Sequence, residues 1–144
     1  MKILQFEGKY RFLSNFVSSP MIVDEKCYLT VENYFQSQKT LDKIESERIR
    51  IAMHPGAAKR LGRYCNLRKD WNEIKDEVMI KGLRAKFSCD NMKKKLLATN
   101  DDILEEGNVW GDRYWGVDLK TGIGENRLGK LLMQLRDEIR RRNK

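Results

Sequence analysis

Apolar side chains recur along this chain at helical spacing in some stretches and at strand spacing in others. The most informative stretch is residues 30–39, Thr-Val-Glu-Asn-Tyr-Phe-Gln-Ser-Gln-Lys. Val31 and Phe35 are four apart, as are Tyr34 and Gln38, so a helix here points aromatic and apolar groups inward. Thr30 stands at the N-cap, where its hydroxyl accepts from the first free backbone N–H groups. Glu32 falls in the first turn, where the helix dipole favours a carboxylate. Glu32, Gln36 and Lys39 run down a neighbouring face, with Tyr34 close by. An acid, an amide and a cation in a row suit a polar substrate; they also describe the solvated face of an ordinary amphipathic helix.

The clearest helical pattern opens at Trp71, after Asp70-x-x-Glu73, a capping-box variant. It runs to about Phe87, with Ile74, Val78 and Ala85 on one stripe and Met79, Leu83 and Phe87 on a second, so this helix is expected to be largely buried. Gly82 lowers its propensity, and a close helix–helix contact would explain the glycine. The last helix follows Gly122-Ile123-Gly124-Glu125-Asn126 and buries Leu128, Leu131, Leu132, Leu135 and Ile139. Its end carries Arg140, Arg141 and Arg142, where cations complement the dipole.

Shorter patterns fill the rest. Residues 3–6 read as a strand, as do 103–105. Residues 21–23 and 27–29 read as strands joined through Asp24-Glu25-Lys26, a hairpin that delivers the chain into the Glu32 helix. Residues 44–53 form a helix with a basic face at Arg48 and Arg50. Pro55 takes the first position of a helix over 55–61 that Gly62 ends. Asp90 caps a short helix through Leu97. Between the last strand and the last helix lies a glycine-punctuated stretch, Gly107-Asn108-Val109-Trp110-Gly111-Asp112-Arg113-Tyr114-Trp115-Gly116. Three large aromatics on a connector cost solvation unless they pack or stack. No internal repeat, linker or low-complexity tract interrupts the chain.

Composition narrows the chemistry. The 144 residues suffice for one domain with a core, and charged residues make up 35% of them. A net charge of +8 favours anionic partners such as nucleic acid or nucleotide phosphates. Lys59, Arg60 and Arg63 concentrate charge on one short helix, as a phosphate contact or as solvated surface. No run of about 18 apolar residues is present, so no membrane span is expected, and the N-terminal apolar stretch is too short for a signal peptide. Cys27, Cys65 and Cys89 are odd in number and far apart, which suggests reduced thiols in a cytoplasmic protein.

His54 is the only histidine and precedes Pro55, a poor position for a Ser–His or Cys–His nucleophile and too little for zinc. There is no phosphate-binding G-x-x-x-x-G-K-[ST] loop, and Gly122-x-Gly124 has the wrong continuation for a dinucleotide site. Any catalysis should rest on carboxylates, amides and aromatics, with no metal or redox cofactor.

Read together, several motifs resemble the NADAR family, also called YbiA-like. They are Phe12-Leu13-Ser14-Asn15-Phe16, Glu32-Asn33-Tyr34-Phe35-Gln36-Ser37-Gln38-Lys39, Arg68-Lys69-Asp70-Trp71 with Lys86-Phe87, Asp112-Arg113-Tyr114-Trp115-Gly116 and Asn126-Arg127-Leu128-Gly129. They occur in order over most of the chain. The resemblance implies an α+β, helix-rich single domain over residues 1–144, with a small β-hairpin on its N-terminal side. It implies hydrolysis of N-glycosidic bonds, in phosphorylated ribosylamino-pyrimidines of riboflavin synthesis or in ADP-ribosylated guanine. By the same resemblance Glu32 is the leading catalytic carboxylate and Asp112 a second acid. Trp71 and Trp115 line the base or ribose pocket, and Asn15, Gln36, Lys39 and Asn126 surround it. Lys39 and Arg60 are then assigned to phosphate, and Asp112 or Asp118 to ribose hydroxyls or the leaving base.

The chain departs from the family pattern at two places. Asn33 stands where a histidine is frequent, and Val117 follows the Trp-Gly pair where some relatives carry an aspartate, with Asp118 next. Two other function classes stay open at this level. One is a basic nucleic-acid-binding module without catalysis, using Lys93–Lys95 and the arginine run. The other is a protein that binds ADP-ribose without cleaving it. The basic surface also fits an enzyme acting on ADP-ribosylated nucleic acid.

Overall fold

The structure is a computed structural model and describes residues 1–143. It is mixed α+β and helix-rich, as expected: six α-helices, one 3-10 helix and three two-stranded sheets among the described residues. Its contacts fall into two units, one spanning Asn15–Lys86 and the other Met1–Ser14 with Phe87–Lys144.

The unit Asn15–Lys86 is built around a short helix. Strands β2 (Met21–Val23) and β3 (Lys26–Tyr28) form the expected antiparallel hairpin, pairing Met21 with Tyr28 and Val23 with Lys26. Asp24 and Glu25 both take left-handed backbone conformations, φ 49° and 70°. Two successive positive φ values are what a two-residue turn matched to the strand twist requires. The hairpin leads into α1 (Val31–Ser37) through Thr30, whose hydroxyl oxygen accepts the Asn33 N–H at 3.0 Å.

Every residue of α1 is buried, because α2 (Lys43–Arg50), α3 (Pro55–Arg63) and α4 (Trp71–Lys86) all pack against it. Asp42 caps α2 by accepting from the N–H groups of Ile44 and Glu45. Asn33 closes the other end of α2, donating its amide to the carbonyls of Ile49, Arg50 and Ala52 at 3.2–3.3 Å. Asn33 thereby gives a side-chain donor to carbonyls at the C-terminal end of α2, where the helical ladder runs out. His54 caps α3, its Nδ1 accepting from Ala57 N–H at 3.1 Å.

The unit of Met1–Ser14 and Phe87–Lys144 pairs β1 (Lys2–Ile3) with β4 (Ile103–Leu104) in parallel. Its 3-10 helix, Gly8–Leu13, packs on α5 (Asp90–Leu97). Strands β5 (Gly107–Asn108) and β6 (Val117–Asp118) also pair in parallel. Helix α6 (Arg127–Arg142) lies against β4 and α5 and buries the predicted stripe of Leu128, Leu131, Leu132, Leu135 and Ile139. Arg136 is buried beside that stripe and donates to Thr99 Oγ1 at 2.8 Å.

Several local expectations are corrected: α2 ends at Arg50 instead of residue 53, and the second hairpin strand is Lys26–Tyr28 instead of 27–29. The first strand is only Lys2–Ile3. Helix α3 runs through Gly62 to Arg63 instead of stopping before it. Asp90 begins α5 rather than capping it. On α4 the Met79–Leu83–Phe87 stripe is buried while Ile74, Val78 and Ala85 are half-buried, so only one side of that helix is fully enclosed. The three cysteines are free thiols. Among the described residues no helix is long and apolar enough to cross a membrane.

Gly82 meets the expectation of a close helix–helix contact. A Cβ there would lie 2.7 and 2.8 Å from the edge of the Tyr34 ring on α1. Alanine is the better helix former by about 1 kcal/mol, but overpacking of this kind costs about 1–3 kcal/mol. We therefore expect Gly82→Ala to lower the urea midpoint of unfolding. A raised midpoint would mean that the ring yields freely and the packing is loose.

Candidate active site

Helix α1 sets the geometry of the candidate site. Its Thr30 cap fixes the helical register, which places Glu32 in the first turn and Gln36 one turn later. Glu32 is only 7% exposed. Its backbone N–H donates to the Asn15 carbonyl at 3.1 Å, and its Oε2 accepts from Gln36 Nε2 at 2.6 Å. A hydrogen bond to an ionised oxygen is short and strong for its type, so the amide replaces part of the lost hydration.

The Asn15 side chain donates to Met79 Sδ at 3.4 Å. Two buried acceptors in this cluster, Asn15 Oδ1 and Gln36 Oε1, have no hydrogen-bond partner. Buried polar atoms are nearly always paired, so two orphans beside one carboxylate set this spot apart.

Cations gather nearby. Burial lowers the pKa of the Lys39 ammonium, Glu32 and the Cys65 thiol pull it back up, and Lys59 and Arg63 push it down further. Lys39 Nζ lies 6.0 Å from the centre of the Phe35 ring, and Lys59 Nζ 5.9 Å from that of Phe16. Phe35 packs on Trp71 at 5.0 Å, and Trp71 is 6% exposed, which makes its indole a core anchor in the first turn of α4. Arg60 is exposed on α3. So Asn15, Glu32, Gln36, Lys39 and Trp71 come together around α1. An open groove of about 420 Å³ in the same unit is lined by residues 40–42 and 66–70, none of them among the sequence-nominated residues.

In the other unit, Asp112, Trp115, Asp118 and Asn126 belong to one loop system. Asp112 Oδ1 accepts from the N–H groups of Tyr114 and Trp115, at 3.1 and 2.9 Å, so this carboxylate shapes the turn that carries Trp115. Trp115 is half-buried, with the Tyr114 ring edge-on at 4.8 Å. Asp118 Oδ1 accepts from Lys120 N–H, and its other oxygen lies 4.0 Å from Arg113. Asn126 uses both ends of its amide, donating to Leu104 O at 2.8 Å and accepting from Glu106 N–H at 3.1 Å. It thus ties the start of α6 to the end of β4.

Two residues that sequence reasoning left without a role stand out. Asn108 is 1% exposed, donates to Asp112 O and Glu106 Oε2 at 2.9 Å, and accepts from Asp112 N–H. It is the internal brace of the Asp112 loop. Lys86 is 2% exposed, and burial lowers its pKa to about 7. It is seven residues beyond Met79 and so shares the face of α4 that packs on α1. A lysine at core spacing was the available signal. Among the described residues no group of three or more His, Cys, Asp or Glu side chains is arranged to hold a metal.

The NADAR domain model matches residues 5–140, and this chain belongs to that family. It is 45% identical over 133 residues to N-glycosidase YbiA of Escherichia coli K12, covering 90% of this chain and 82% of that protein. It is 36% identical over 136 residues to a riboflavin biosynthesis protein of Vibrio vulnificus, covering 92% of this chain but 36% of that one. The NMR structure of E. coli YbiA superimposes with a TM-score of 0.88 at 41% identity, covering 99% of this chain and 87% of that chain. The enzyme class expected from the motifs, an N-glycosidase, is the class that the E. coli relative's name states.

Lys86 makes a pH prediction. Its ordinary value is 10.5 and its folded value about 7. Between these the unfolded chain holds the proton and the folded chain does not, so stability rises with pH, by up to about 1.4 kcal/mol per unit. Below pH 7 both states are protonated and the contribution is flat. Urea midpoints of the wild type and Lys86→Met, compared from pH 6 to 9, should diverge in slope above pH 7. Parallel curves would show that the buried amine keeps its proton.

Proposed function

We propose that this chain hydrolyses the C1′–N bond of a phosphorylated ribosyl-base or ADP-ribosyl compound. The two substrate classes are ribosylamino-pyrimidine phosphates and ADP-ribosylated guanine. The observation that carries this reading is the buried Glu32 carboxylate, clasped by Gln36 and set among cations, in a member of a family with N-glycosidase relatives.

Cleavage moves the C1′–N electron pair onto the base nitrogen, which takes up a proton. The sugar gains oxocarbenium character, and a fixed carboxylate beside it is stabilising where that charge develops. The water oxygen then bonds to C1′, and a water proton passes to Glu32 or is oriented by it. Lys39, with Lys59, Arg60 and Arg63 contributing charge, is assigned to substrate phosphate. Asn15 Oδ1 and Gln36 Oε1 are buried acceptors without a partner in the same cluster. For Asp112 as a second acid, and for Trp71, Trp115, Asp118 and Asn126 as substrate contacts, the family resemblance is the sole support.

The test is incubation with a panel of N-ribosyl compounds, including both classes, followed by chromatography for free base. Glu32→Gln is nearly isosteric and should melt like the wild type while turning over at least about a hundredfold more slowly. A near-wild-type rate removes Glu32 from the mechanism. Tight binding of ADP-ribose with no product would make the chain a binding protein. Steeply salt-dependent nucleic-acid binding without base release would make it a nucleic-acid module.

A further inference from the structure

Gly62 lies in the last turn of α3, one residue before its end at Arg63, and it is buried. Glycine is a poor helix former, and here, one residue before the end of α3, it does not terminate the helix, so the position calls for a reason. The reason lies on α1. A Cβ at Gly62 would penetrate the Gln36 Oε1 atom, lie 2.9 Å from its Cδ and 3.1 Å from its Cβ. The Gln36 amide therefore fills the space that any other residue at position 62 would occupy.

That amide is the group that donates to Glu32 Oε2 at 2.6 Å. Its own oxygen is buried without a partner, packed against the glycine. An unpaired buried acceptor is a standing cost. The arrangement accepts it while directing the amide's N–H at the carboxylate. An added methyl at Gly62 must displace the whole amide, because rotation about its Cγ–Cδ bond moves the oxygen but leaves Cδ at 2.9 Å.

We propose that Gly62 is a positioning residue for Glu32, acting through Gln36. It touches neither carboxylate nor substrate; it keeps clear the volume in which the amide must sit. The catalytic part of this inference rests on the reading of Glu32 given above, whereas the steric coupling of positions 62 and 36 does not.

The experiment compares four proteins: wild type, Gly62→Ala, Gln36→Ala and the double variant. Each is measured for kcat and KM on a ribosylamino-pyrimidine phosphate, and for melting temperature. Misplacing a catalytic group by about 1 Å can cost about a hundredfold. We expect Gly62→Ala to lower kcat by about tenfold to a hundredfold with KM within about threefold, and to lower the melting temperature. With Gln36 already truncated, the same glycine change should leave kcat within about twofold of Gln36→Ala and should lower the melting temperature by less than in the wild-type background, because the 2.9 Å amide contact and the overlap with the oxygen are gone while the 3.1 Å contact to the Cβ remains.

Equal losses in both backgrounds, in kcat and in melting, would overturn the proposal, because Gly62 would then be a packing residue with no route through Gln36. An unchanged kcat in Gly62→Ala would overturn it too. If Gly62→Ala fails to fold while the double variant folds, the steric coupling is supported directly. If the melting data show the coupling but Glu32→Gln keeps full activity, the reading of Glu32 fails and the geometry of positions 62 and 36 stands.

Discussion

A carboxylate stays out of water only where other groups replace the hydrogen bonds it gives up. Glu32 is held in this way by the Gln36 amide on its own helix, one turn away. Much of the Asn15–Lys86 unit follows from that pairing. For the acid and the amide both to be buried, α1 must be enclosed by α2, α3 and α4. Enclosure on that scale brings backbones close, and the helices meet it with glycines. Gly82 makes room for the Tyr34 ring and Gly62 for Gln36. Thr30 and Asn33 complete the frame, one starting α1 and the other closing α2. Seven residues of helix would be marginal in isolation, so α1 depends on the tertiary packing that its own polar pair demands.

The charge distribution works against the same background. The chain carries an excess of eight positive charges, yet the lysines nearest this interior are those whose cationic form is disfavoured. Burial acts first in both Lys39 and Lys86. For Lys39 the neighbouring Glu32 offsets part of the loss, and Lys59 and Arg63 add to it. A phosphate bound beside Lys39 would reverse the balance, because an anion restores the preference for the charged amine. Affinity for an anion and the lowered pKa of Lys39 are then two sides of one electrostatic balance.

Sequence periodicity made the helices legible wherever burial is one-sided. The α6 stripe and the α1 cap were readable because each depends on residues within one or two turns. The Gly82 contact was readable for a different reason: glycine in a strong helical pattern needs a partner close by. Gly62 was misread as a stop, since a glycine near a helix end serves equally as terminator or as clearance, and only the side chain opposite decides. Asp112 looked like a free acid in an aromatic loop, whereas one of its oxygens organises the turn at Trp115. Asn108 was invisible because its three partners are assembled by the loop itself. Local rules thus reached the elements and the acid at the centre, and contacts between elements decided what each polar group does there.

One feature of the connectivity bears on how the molecule is made. The unit of Met1–Ser14 and Phe87–Lys144 is interrupted: β1 near the N-terminus pairs with β4, about a hundred residues later, while the Glu32 unit is an unbroken stretch. During synthesis at about 5–20 residues per second, Lys2 and Ile3 emerge first and wait some seconds for Ile103 and Leu104. The continuous unit has all its partners in hand well before then. Vectorial folding on the ribosome would therefore set α1 in place before the strand that precedes it has found its neighbour.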